Sequence, residues 1–292
     1  MKLEKIKNQN LLLEISPEMG ASITKFKDNK NNLHIFRPFP KNKKISKYNS
    51  YFTGYFATVP YFGAIHKKSF LIKNKYISLP RTHILEPTAI HGEGWVNKWS
   101  INKLTKESIE LVFKHNGKSN FPYSYKATQV YKLKNNSLII SINLENLDKD
   151  SFHCGIGFHP WFYISKHSKV YSNTFTNLKQ KKNNRLIKTK YINNKILDLN
   201  KHKIDSTFLN WNGKSKLVIN KNLSLMIKNK KNIKNLHIYS PPKKNFFCIE
   251  PVTNIRDAFF AKKLGNCYHG LKSLAPNKKF QAIVEFEILN LT

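Results

Sequence analysis

Short runs in which apolar and polar side chains alternate, broken again and again by Asn, Asp, Gly and Pro, limit what this chain can fold into more than any other feature. In Ser22-Ile23-Thr24-Lys25-Phe26 successive side chains fall on opposite faces of an extended strand. The pattern returns in Tyr123-Ser124-Tyr125-Lys126-Ala127 and through Leu138-Ile139-Ile140-Ser141-Ile142-Asn143-Leu144. Asn116-Gly117, Asn135-Asn136, Asn146 to Asp148, Asn212-Gly213 and Pro241-Pro242 mark turns between such runs. Many strands with short turns predict an antiparallel sandwich or barrel. The sequence carries no convincing heptad or amphipathic helix of ordinary length, and its connections are too short for βαβ crossovers, so a parallel α/β fold is disfavoured. The stretch from about Ser165 to Lys203, rich in Lys and Asn, reads as long loops with a few short strands. All-β units reach about 250 residues or more, so the 292-residue chain is expected to form a single domain over 1–292.

A formal net charge of +34 raises the question of nucleic acid or an anionic membrane as partner. Only four of the 51 basic residues are arginine (Arg37, Arg81, Arg185 and Arg256), and the other 47, all lysine, are spread over the whole chain beside abundant Asn and Ile. A nucleic-acid face concentrates its charge and favours the planar fork of Arg. The excess therefore reads as codon bias toward A and T, and neither nucleic acid nor membrane is expected as a partner. Cys154, Cys248 and Cys267 lie far apart without C-x-x-C spacing, which indicates neither a zinc site nor a disulfide framework. Leu11-Leu12-Leu13 is cut short by Glu14, too brief for a signal peptide, and no run is long enough to span a membrane. A cytoplasmic protein with reduced thiols is the expectation.

Three segments could carry chemistry. In His91-Gly92-Glu93-Gly94-Trp95, with Trp99 close behind, glycines permit a tight backbone approach and indoles offer flat faces for sugar C–H groups; a turn anchored by core tryptophans fits equally. In Cys154-Gly155-Ile156-Gly157-Phe158-His159-Pro160-Trp161-Phe162, an extended chain puts Gly155, Gly157 and His159 on one face, and the two absent side chains would leave a hollow beside the imidazole. In Phe246-Phe247-Cys248-Ile249-Glu250-Pro251, a lone carboxylate interrupts an apolar strand. Burial there would raise its basicity to a value useful in proton transfer, unless it serves as a structural ion pair. Asp205 reads as a turn or cap residue by itself. His34, His66, His83, His115, His153, His167, His202, His237 and His269 show no metal-ligand spacing and are expected to be surface or satisfied core residues.

Taken in order, these segments resemble the aldose 1-epimerase family, the galactose mutarotases and their hexose relatives. Pro17-Glu18-Met19-Gly20 is similar to the family's first turn, Val59 to Phe62 to its V-P-Y-F-like segment, and His91-Gly92 to its H-G segment. His159-Pro160-Trp161-Phe162 is similar to its H-P-aromatic-F motif, Asp205 to Phe208 to its D-x-x-F segment, and Glu250-Pro251 to its E-P motif. The resemblance implies an antiparallel β-supersandwich of the galactose mutarotase type, in a monomer or weak homodimer, with a small-molecule sugar as partner and no cofactor or metal. It implies Glu250 as the base that takes the O1 proton and His159, as imidazolium, as the acid that protonates the ring oxygen. His91, Asp205, Trp161 and Trp95 are the implied substrate-binding residues. One departure stands out: the family's Asn-Arg pair after the V-P-Y-F-like segment is replaced by Gly63-Ala64, so an arginine is missing, with Arg81 or Lys67 as candidate substitutes.

Overall fold

A computed structural model describes residues 3–65, 68–72, 74–118, 121–180, 186–191, 195–201 and 204–289. Two large antiparallel sheets dominate it. The first has ten strands in the order Glu4–Lys7, Leu11–Ser16, Ser22–Asp28, Tyr55–Thr58, Gly157–Tyr163, Phe246–Val252, Asn235–Ser240, Ile204–Phe208, Thr176–Gln180 and Leu186–Lys190. The second has nine, from Ile196–Asp198 through Lys169–Ser172, Lys214–Asn220, Leu223–Lys231, Lys279–Leu289, Ser137–Asn146, Ser124–Lys134 and Ser108–Asn116 to Ser100–Leu104. Strands of the two sheets interleave along the chain, and one apolar cluster running from Ile6 to Ile288 draws on both. The supersandwich implied by the resemblance is therefore observed. Helix among the described residues amounts to Ala258–Lys263 and a few short 3₁₀ turns. The polar 165–203 stretch holds four short strands, where long loops were the main expectation.

The alternation read from the sequence is the alternation of burial. Ser124–Lys134 alternates regularly, with Tyr125, Ala127 and Tyr131 turned inward. Two strands of the ten-stranded sheet break the rule in an informative way. Gly157–Tyr163 is buried at every position except its last, and Phe246–Val252 at every position except its first. Their inward residues, Phe158, Phe162, Phe247 and Ile249, join the shared core. Their outward residues, His159, Trp161, Cys248 and Glu250, are covered by loops, and Trp161 and Cys248 join Phe56 and Trp95 in a second, smaller apolar cluster. The outer face of this sheet is consequently the place where polar groups are held out of water.

The expected hollow beside His159 is not empty. A Cβ on Gly157 would lie 2.3 Å from Thr58 Oγ1, and one on Gly155 would lie 1.9 Å from Asn254 Oδ1. The glycines admit neighbouring protein side chains, and the cavity lies elsewhere on the face. Gly157→Ala should cost about 1–3 kcal/mol of stability through overpacking, read as a lower midpoint in urea with an unchanged slope.

Candidate active site

Register assembles the site. The pairing of Gly157 with Val252 and Trp161 with Cys248 sets His159 level with Glu250. Phe56 pairs with His159 on one side, Glu250 pairs with His237 on the other, and His237 pairs with Thr207. Phe56, His159, Glu250, His237 and Thr207 thus form one row across five strands. A second row carries Trp161, Cys248, Tyr239 and Asp205. Because side chains on one face of a sheet repeat every second residue, these two rows face the same cavity floor. The cavity, about 700 Å³ counting its open mouth, is also walled by Tyr51, Phe62, Gly63, Ala64, Glu86, Ile90, His91 and Arg256. It has room for a monosaccharide.

His159 Nε2 stands 3.4 Å from Glu250 Oε2. That contact is an ion-pair distance without hydrogen-bond geometry, and it leaves Glu250 Oε2 and His159 Nδ1 as buried polar atoms with no hydrogen-bond partner. Burial drives the two groups apart in basicity. The Glu250 carboxyl is raised well above its ordinary value, first by burial and then by Asp205, while His159 falls well below its own, first by burial and then by His91 and His237. Both shifts favour the uncharged form, a protonated Glu250 carboxyl beside a neutral His159 imidazole. Trp161 stacks on His159 at 4.9 Å, and the Arg37 guanidinium lies 4.3 Å beyond the indole, donating to the carbonyls of Tyr51 and Thr53. Phe56 packs against another side of the imidazole at 4.5 Å, its ring tilted by 35°.

His91 sits in the left-handed region at φ 60°. Its N–H donates to the Gly63 carbonyl, and the Gly63 N–H donates to His91 Nδ1 at 3.2 Å. An accepting Nδ1 leaves the proton on Nε2, so this imidazole is a neutral donor; burial, then His237 and Arg256, hold its pKa at about 3. Asp205 pairs with Arg256 Nη1 through Oδ2 and with His237 Nε2 through Oδ1 at 3.3 Å. Burial opposes its ionisation, but His237 and Arg256 outweigh burial and bring it down to about 2. Thr207 Oγ1 accepts from the Arg256 backbone N–H and contacts His237 Nδ1 at 2.9 Å, which locks the second imidazole in place.

Of the residues named from the sequence, Glu250, His159, His91, Asp205 and Trp161 line one cavity. Trp95 does not. It is fully buried, donates Nε1–H to the carbonyls of Gly92 and Ile90, and stacks behind Phe56 at 5.0 Å, so it supports the wall from the rear. Asp205 lies on a strand and not in a turn. His237, expected to be a bystander, is a wall residue; its place in Leu236-His237-Ile238-Tyr239 follows the same alternation that singled out Glu250.

The missing arginine is answered by a residue the sequence reading passed over. Arg81 is exposed and away from the cavity, and Lys67, like His66 and His202, lies outside the described residues. Arg256, six residues after Glu250, reaches the cavity instead. A Cβ on Gly63 would come within 3.1 Å of Arg256 Cα, and Gly63 itself has φ 82°. Glycine at the position of the lost pair is thus what lets the Arg256 backbone approach. Among the described residues one trio, His159, Cys248 and Glu250, brings possible metal-ligand atoms within 4.8 Å of one another. Burial pushes the Cys248 thiol well above its ordinary value, which disfavours the thiolate such a site would need. Among the described residues no helix is long and apolar enough to cross a membrane.

Comparison with known proteins places the fold and the family. A stretch of 103 residues is 24% identical to the uncharacterized protein YphB of Escherichia coli (strain K12), covering 33% of this chain and 34% of that relative. A galactose mutarotase-like protein from Clostridium acetobutylicum superposes with a TM-score of 0.81 at 20% identity, covering 99% of this chain and 98% of the other. A galactose mutarotase related enzyme from Lactobacillus acidophilus does so with a TM-score of 0.78 at 21% identity, covering 100% and 98%. These structural likenesses establish the fold. The sequence pattern of the aldose 1-epimerase family matches residues 2–287, nearly the whole length, and the chain belongs to that family.

Proposed function

We propose that this protein is a mutarotase that interconverts the α and β anomers of a free aldohexose. The observation that carries the reading is the His159–Glu250 pair, two buried groups 3.4 Å apart at the floor of a sugar-sized cavity, with the carboxyl raised and the imidazole lowered in proton affinity by burial. Anomerisation removes a proton from O1 and adds one to the ring oxygen, so that the hemiacetal opens, turns about C1–C2 and recloses. A proton passing from Glu250 to His159 produces a carboxylate beside an imidazolium. Glu250 then takes the O1 proton while His159 donates to the ring oxygen, and reclosure on either face of the carbonyl runs the transfers backward. His91 donates from Nε2, Asp205 accepts, and Arg256 donates to sugar hydroxyls. Trp161 offers its ring to the sugar's C–H face.

The test is polarimetry of freshly dissolved α-D-glucose and α-D-galactose. Optical rotation should relax faster with protein than in matched buffer; no acceleration on either sugar would sink the reading. Arg256→Ala should raise KM by about tenfold with a smaller change in kcat, since it removes a charged hydrogen-bond donor and frees Asp205 from its partner. Arg256→Lys, which keeps the charge but not the fork, should fall between the two in progress curves at graded sugar concentration.

A further inference from the structure

The cavity's charge is at odds with that of the protein around it. Although the chain carries 47 lysines among its 51 basic residues, none of the described ones lines the cavity. Arg256 is the permanent cation on its described wall, and it is already matched, by Asp205 through Nη1 and by Asp257 at 3.7 Å from Nε. Glu86 has no such match. It lines the cavity on the segment before the Ala89–Ile90 strand, half-buried, and among the described residues nothing pairs with its carboxylate. The segment is pinned: the Glu86 N–H donates to the His83 carbonyl at 3.0 Å, and the buried His83 ring packs against Trp95 at 5.1 Å and Tyr51 at 6.3 Å. The field of Glu86 reaches across the cavity wall, since after burial it is among the groups that raise the Tyr51 and Tyr239 phenols.

We infer that Glu86 is a specificity-determining residue whose unmatched carboxylate makes the cavity reject anionic sugars, so that the substrate class is the neutral or cationic aldose and not the sugar phosphate or uronate. This deepens the mutarotase reading and rests on it. Two like charges within about 6 Å in a half-buried setting repel enough to change affinity by about tenfold or more. Beyond about 8 Å the lysine-rich exterior is screened at physiological salt, so its attraction for anions does not reach into the site.

The experiment measures kcat/KM for anomerisation of D-glucose, D-glucosamine and D-glucose 6-phosphate by NMR magnetisation exchange, near neutral pH and at about 0.15 M salt. Binding of the same sugars is followed separately by intrinsic tryptophan fluorescence. Glucose and glucosamine should exceed the 6-phosphate by at least about tenfold in the wild type. Glu86→Gln should shrink that ratio by about tenfold, and Glu86→Asp should restore it. Equal or better use of the 6-phosphate by the wild type, or a ratio that Glu86→Gln leaves unchanged, overturns the inference even where anomerisation itself is fast. If no sugar is anomerised but binding keeps the Glu86-dependent order, the charge selection stands and the catalytic reading falls. Absence of binding by all three sugars overturns both.

Discussion

With Glu250→Gln, kcat/KM for anomerisation should fall by about 10²- to 10⁴-fold while the folded protein becomes more heat-stable near and above neutral pH. Glutamine keeps the shape of the side chain and loses its proton chemistry, so the first effect isolates the base. The second follows from linkage. The folded Glu250 carboxyl is raised well above the ordinary carboxylate value by burial, so above that ordinary value the native state binds a proton that the unfolded chain has released. Wild-type stability contributed by this group is fully present below the unfolded pKa and is lost as pH rises toward the folded one. The variant carries no such loss, so its advantage in thermal midpoint should grow from about pH 4 upward and vanish in acid. An equal midpoint at all pH values would show that Glu250 is not held neutral.

His159→Asn should cost a similar about 10²- to 10⁴-fold, and its residual activity should show the opposite pH trend. In the wild type the working form of the pair holds one dissociable proton, so activity should fall in acid when a second proton binds and in base when the first is lost. Without His159, the residual rate depends on the Glu250 carboxylate alone. It should therefore rise with pH through that group's elevated ionisation. Without Glu250, the residual rate depends on protonating His159, whose affinity for a proton is depressed by burial, and it should rise toward acid. Two variants with residual profiles of opposite slope would assign base and acid in one experiment. Parallel profiles would mean that the two residues do not divide the proton transfers between them.

Much of the site is written in local pattern. Glu250 stands out because a carboxylate breaks an apolar strand, and His159 because it follows glycines at alternate positions. The glycines nevertheless leave no hollow beside His159, since Thr58 and Asn254 fill the space. Local pattern reports which face a side chain occupies, and it is silent on what arrives from elsewhere to cover that face. Trp95 illustrates the limit: two glycines beside an indole fit a sugar platform and a core anchor equally, and only the stack against Phe56 decides for the anchor.

The sequence by itself determined the antiparallel sheets, the inward and outward sets of side chains, and the residue types of the proposed acid and base, because a period of two is a property of each strand alone. The tertiary structure decided which strands became neighbours, and with them everything that depends on register. It put His237 beside Glu250, brought Arg256 over Gly63 to meet Asp205, and left Glu86 unmatched on the cavity wall. It also set the direction in which the proton affinity of Glu250 and of His159 shifts, since that depends on how completely other segments exclude water from each group. Burial and long-range pairing are properties of the assembled sheet, and no segment carries them before the chain has folded.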